Sequence, residues 1–232
     1  MRAAAALAVL GLGAGLTACG SGGQGSGQPG RTHATTQAAV PECRKLRTPA
    51  PKRHLKLARP HLALDSQRTY QAVVDTSCGS FTITLDVKDS PKTTASFVYL
   101  ARRGFYDRLM FHRVVSGFVI QGGDPLGNGT GDPGYHVVEP PPRSTHYTRG
   151  VVAMAKAETD RPGTSGSQFY VVTGEDAQLP PDYALLGRVT TGQTVVDAIG
   201  VVPTDQGSSD PAKQDRPRSP VVIEKITIQE QR

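Results

Sequence analysis

The chain has 232 residues and a formal charge of +6, with 37% hydrophobic residues, six histidines and three cysteines. That length suits one good-sized domain with extensions, and its apolar residues are concentrated enough for a core only from about Tyr70 onward. The basic residues thicken at Arg44, Lys45, Arg47, Lys52, Arg53, Lys56 and Arg59 without interleaved aromatics, the pattern of a solvated linker and not of a nucleic-acid surface.

At the N-terminus Arg2 precedes the apolar run AAAALAVLGLGAGL and a cluster of small residues, which reads as a secretory signal too short to span a bilayer. Leu16, Thr17, Ala18 and Cys19 resemble the lipobox of bacterial lipoproteins. That resemblance implies removal of residues 1–18 and acyl chains on Cys19, which would hold the protein at the cell membrane, facing outside the cytoplasm. An ordinary cleaved signal with an incidental cysteine is the alternative. Residues 19–68 read as a disordered tether, first Gly/Ser-rich (GSGGQGSGQPG) and then Pro- and Lys/Arg-rich. With Cys19 lipidated, Cys43 and Cys78 remain as an even pair in an oxidising compartment, and a disulfide between them is expected, free thiols being the alternative. Neither cysteine belongs to a C-x-x-C and the histidines are scattered, so no metal or cofactor is expected.

From Thr69 the pattern changes. TYQAVVDTSCGSFTITLDV alternates apolar and polar residues on both sides of Cys78-Gly79-Ser80, which predicts a β-hairpin. Asp89-Ser90-Pro91 carries helix-start chemistry, and Phe97, Val98, Leu100 and Ala101 follow at helical spacing before Gly104, predicting a helix over 91–103. Short strand-like runs follow: LMFHRVV, FVIQGG, GVVAMA, SQFYVVT and LLGRVT, with the turn-rich loop GNGTGDPGY among them. A second helix is expected around 193–199 in TVVDAIG, and PVVIEKITI closes the chain as a strand. Many short strands with two isolated helices favour a closed antiparallel barrel, since closure leaves no edge. The domain is therefore expected over 69–232.

One stretch, FHRVVSGFVIQGGDP, places Arg113 inside an apolar run, where its charge needs water or a partner. This segment, with GNGTG after it, MAKA at 154–157 and GSQFYVVT at 166–173, resembles the cyclophilins, which are peptidyl-prolyl cis-trans isomerases. The resemblance implies a mainly β fold, a closed eight-stranded antiparallel barrel capped by two α-helices, with a proline pocket on its outer surface. It implies that Arg113 is the catalytic arginine, Phe118 a pocket-floor aromatic and Gln121 the glutamine that binds the substrate backbone. Val119, Ala155, Ala157, Gln168, Tyr170, Leu179 and Tyr183 fall at substrate-binding positions.

These residue types fit the reaction. Twisting an X-Pro amide breaks its conjugation and leaves a pyramidal nitrogen whose lone pair accepts a hydrogen bond, and a fixed guanidinium favours that state over either planar one. Val119 and Gln121 share a strand face by the period of two, but Ser116-Gly117 interrupts the count to Arg113. His112 reads as structural, on the face opposite Arg113. Several positions depart from the family pattern: Val119 stands for a methionine, Lys156 for an asparagine, Tyr170 for a phenylalanine, Gln178 for a tryptophan and Tyr183 for a histidine. The expected partners are Pro-containing segments of exported proteins, and the expected state is a monomer. A non-catalytic proline-peptide-binding or chaperone module on the same fold is the alternative.

Overall fold

The computed structural model describes residues 41–232. The predicted signal and Cys19 lie outside the described residues. In chain order the elements are β1 (Thr69–Thr76), β2 (Gly79–Leu85), α1 (Pro91–Arg102), β3 (Leu109–Val115), β4 (Val119–Gly122), β5 (Val137–Val138), β6 (Val151–Met154), β7 (Thr164–Ser165), β8 (Phe169–Val172), β9 (Leu185–Thr191), α2 (Gln193–Gly200), the short α3 (Pro211–Gln214) and β10 (Val221–Gln231). Eight strands close a barrel in the order β1, β10, β3, β4, β8, β6, β9, β2, every pair antiparallel, while β5 and β7 pair separately.

Alternation decides which side chains fill it. On β1 and β2 the inward set is Tyr70, Ala72, Val74, Phe81, Ile83 and Leu85, all buried. The helices complete the same core: α1 contributes Phe97, Val98 and Leu100, and α2 contributes Val195, Val196 and Ile199. Strands β6 and β8 are apolar on both faces because they serve two clusters. Val152, Met154, Phe169 and Val171 point into the barrel, whereas Val151, Ala153, Tyr170 and Val172 pack with Val119 and Tyr147 outside it.

Helix α1 starts at Pro91, as expected, but the side chain of Ser90 makes no cap hydrogen bond. Its free amides go instead to a carboxylate far along the chain: Lys92 N and Thr93 N donate to Glu139 Oε1 and Oε2 at 3.1 and 2.7 Å.

The segment before β1 corrects the expectation of a free tether through residue 68. From residue 41 the chain lies along the barrel without regular secondary structure. Cys43 and Cys78 form a disulfide. Arg44 N donates to Ser77 O, Lys52 N to Pro125 O and Leu57 N to Pro133 O, at 2.7, 2.8 and 2.7 Å. Leu55, Leu57, Leu62 and Leu64 pack against the core. The reason is an alternation in LKLARPHLAL too sparse to register as a strand: the leucines face the barrel and Lys56, Arg59 and His61 face water.

Candidate active site

The strand pairing gathers the candidate residues. Arg113 on β3 lies opposite Gln121 on β4, Gln121 opposite Tyr170 on β8, and Tyr170 opposite Ala153 on β6. Directly opposed residues share a sheet face, so these four form one row across the outside of the barrel. Arg113 reaches that face through a bulge. Phe111 pairs with Gly122 while Arg113 pairs with Gln121, so His112 is an extra residue on β3. Phe111 and Val114 both point into the core, a spacing that unbroken alternation forbids, and Arg113 is left outside.

A pocket of about 270 Å³ sits on this row. Val119, Tyr170 and Phe118 lie under it, Leu179 and Tyr183 wall it, and Arg113, Gln121, Ala155 and Lys156 rim it. An adjoining groove of about 470 Å³ shares Gln121, Ala155 and Lys156 and adds Ala157 and Gln168. The ten residues singled out by sequence thus surround two contiguous cavities.

Polar contacts fix the geometry. Arg113 Nε donates to Asp215 Oδ2 at 3.1 Å, and Val114 N donates to Asp215 O at 2.8 Å, tying the loop before β10 to β3. Gln121 Nε2 donates to Gln168 Oε1 at 3.0 Å, and Gln168 Nε2 donates to Gly129 O and Gly131 O at 3.0 and 2.9 Å. Asp124, fully buried, accepts from Leu126 N, Asn128 N and Gly129 N, and so organises the loop that walls the groove. Gly123 has φ +83°, and a Cβ there would sit 2.5 Å from Ser167 O, so only glycine fits.

Three buried aromatic or imidazole groups respond to this setting. Tyr147 Oη donates to Tyr183 O at 2.7 Å and accepts from Tyr183 N at 2.9 Å, and burial pushes its phenol up to about 12 against the opposing backbone hydrogen bond. Tyr170 Oη is buried without a hydrogen-bond partner among the described residues, and burial raises its phenol far out of the ordinary range. Burial also lowers the pKa of His112, outweighing the Asp124 carboxylate, so the histidine is held neutral, in keeping with a structural role.

Residues 72–228 match the family model described as cyclophilin type peptidyl-prolyl cis-trans isomerase/CLD. The chain belongs to the cyclophilin-type peptidyl-prolyl cis-trans isomerases. Among curated cyclophilin-type relatives, a probable peptidyl-prolyl cis-trans isomerase A of Mycobacterium leprae is 39% identical, over 68% of this chain and 91% of its own. Peptidyl-prolyl cis-trans isomerase B of Streptomyces anulatus is 38% identical, over 68% of this chain and 95% of its own. The crystal structure of a cyclophilin type peptidyl-prolyl cis-trans isomerase of Cryptosporidium parvum in the presence of the dipeptide Ala-Pro superposes with a TM-score of 0.60 and 29% identity, covering 68% of this chain and 98% of that one.

Two of the residues around this pocket, Lys156 and Tyr183, interact with each other. Lys156 Nζ lies 5.5 Å from the ring centre of Tyr183 and donates to the carbonyls of Ala157 and Asp160. Sequence reasoning missed Asp215, Tyr147 and Asp124. Asp215 stands 102 positions from Arg113 in a polar loop with no pattern of its own. Asp124 alone carried a signal, as an Asx-turn former before Pro125.

Proposed function

We propose that the pocket around Arg113 is where this isomerase twists X-Pro bonds, and that Arg113 acts on the prolyl nitrogen. An amide resists rotation by about 18–20 kcal/mol, and most of that resistance is conjugation lost at the twisted state. The proline ring rests on Phe118, Val119 and Tyr170 beside Leu179, all apolar contacts. Asp215 occupies the Arg113 Nε, which leaves the terminal guanidinium nitrogens to donate to the nitrogen lone pair as it forms. Gln121 donates to Gln168 and keeps its own oxygen for a substrate N–H. With the residues before proline held in the groove, rotation is confined to one side of the bond.

The observation that carries this reading is the bulge at His112, which sets one anchored guanidinium at the rim of a pocket with an apolar floor. A protease-coupled assay on an X-Pro peptide tests it, with Arg113→Ala beside wild type. The variant is expected to lose about 100- to 1,000-fold in kcat/KM with its thermal midpoint kept. Equal rates refute the role of Arg113, and no turnover in either leaves the alternative of a binding module.

We further propose that the enzyme acts outside the cytoplasm on exported polypeptides, as a monomer anchored by lipid on Cys19. The Cys43–Cys78 disulfide supports an oxidising compartment, and the Leu16–Cys19 motif supports the anchor. Mass spectrometry of the intact mature protein checks both, through the mass of acyl chains on the new N-terminus and a two-proton deficit at the cysteines.

A further inference from the structure

The loop 124–134 is a wall with two sides. Its front lines the groove through Gly129, Thr130, Gly131 and Asp132. Thr130, Gly131 and Asp132 also line a small cavity of about 50 Å³ behind it, whose far side is Lys52, Arg53, Leu55 and Lys56. The segment leading to β1 therefore backs the groove wall. It is bonded to that wall at both ends of the loop, Lys52 N to Pro125 O at 2.8 Å and Leu57 N to Pro133 O at 2.7 Å. Lys56 Nζ adds an ion pair with Asp132 Oδ1 at 2.9 Å. From the front, Gln168 holds Gly129 O and Gly131 O and also accepts from Gln121. The loop backbone thus joins the hydrogen bonds of the segment, at Pro125, Asp132 and Pro133, to those that lead through Gln168 to Gln121, the residue opposite Arg113.

The segment has its own fixings. The Cys43–Cys78 disulfide pins its start to the β1–β2 turn, and Lys52 Nζ donates to Phe105 O at 3.1 Å. The brace lies outside residues 72–228, which match the family model.

We propose that residues 41–64 form a positioning strap that sets the groove wall at the depth at which the residues before proline bind, and that the disulfide keeps the strap in place. This rests on the site reading above. No residue of the strap lines the proline pocket. Its effect falls on substrates long enough to fill the groove and spares those that occupy only the pocket.

The test uses the whole chain in three forms, wild type, Lys56→Ala/Leu57→Ala and Cys43→Ser, with two substrates. One is a blocked Xaa-Pro dipeptide followed by NMR exchange, the other a peptide with four residues before proline. For the long peptide, kcat/KM is expected to fall about fivefold in both variants and in wild type treated with dithiothreitol. For the dipeptide no change is expected. Amide hydrogen exchange at Gly129–Gly134 should quicken while β3, β4 and β8 keep their protection. Unchanged rates on both substrates, or an equal fall on both, overturn the strap. Arg113→Ala separates the two ideas: it should slow both substrates, and normal rates there overturn the site and the strap with it.

Discussion

Replacing Tyr170 by phenylalanine should stabilise the protein and leave its activity intact. The ring sits in the outer apolar cluster between Tyr147 and Tyr183, with centroids 6.3 and 5.6 Å away, and only 4% of the residue is exposed. Its Oη is buried with no hydrogen-bond partner among the described residues, whereas in the unfolded chain water satisfies it. Leaving a buried hydroxyl unpaired costs about 1–3 kcal/mol, and Tyr170→Phe removes that cost while keeping every ring contact. Allowing for the small void where the oxygen was, a net gain of about 1–2 kcal/mol remains. At about 2–4 °C per kcal/mol for a domain of this size, the thermal midpoint should rise by about 2–8 °C. Differential scanning calorimetry measures the shift, and the protease-coupled assay should give kcat/KM within about twofold of wild type. A lowered midpoint would mean that the hydroxyl has a partner in the folded protein. A large fall in kcat/KM would mean that it reaches the substrate. Either result refutes the reasoning.

Tyr147→Phe should do the opposite, because it strands Tyr183 N and O, and a midpoint lowered by several degrees with a raised KM is expected from the loosened pocket wall. Asp215→Ala should reduce kcat/KM by about threefold to tenfold with little change in midpoint, since a half-exposed ion pair contributes at most about 1 kcal/mol to stability. In an Arg113→Ala background the same change should have no further effect, and equal losses in both backgrounds would refute the orienting role. His112 gives stability a pH slope. Burial holds its folded pKa below the ordinary 6.5, so the unfolded chain takes up a proton that the folded one refuses. Its contribution is complete above pH 6.5 and is lost as pH falls toward the lowered folded value. Urea midpoints measured at pH 7 and pH 5 should therefore differ less in His112→Gln than in wild type.

Much of the site was legible because it is local. FHRVVSGFVIQGGDP covers the adjacent strands β3 and β4 with the turn between them, and GSQFYVVT leads into β8, so Arg113, Phe118, Val119, Gln121, Gln168 and Tyr170 could be named from short segments. The period of two put Val119 and Gln121 on one face, and the structure keeps them there. What could not be read were partners contributed by distant irregular chain: Asp215 for Arg113, Glu139 for the start of α1, Tyr147 for Tyr183. Such contacts leave no periodicity, because each needs one side chain in one place. The strap was misjudged for a related reason. Its leucines are spaced by charges and one proline, Pro60, and four half-buried residues on an extended chain do not raise the hydropathy of the segment.

The sequence by itself determined the eight barrel strands and the helices α1 and α2, since alternation, helical spacing and turn residues are properties of neighbours along the chain, whereas the two-residue strands β5 and β7 and the single turn of α3 are too short to carry a pattern. Only the tertiary structure decided which way Arg113 faces. Counting by twos from Phe111 sends it into the core, and the single extra residue at His112 turns it out to the pocket. That choice depends on the pairing of β3 with β4, a long-range register that local pattern does not encode.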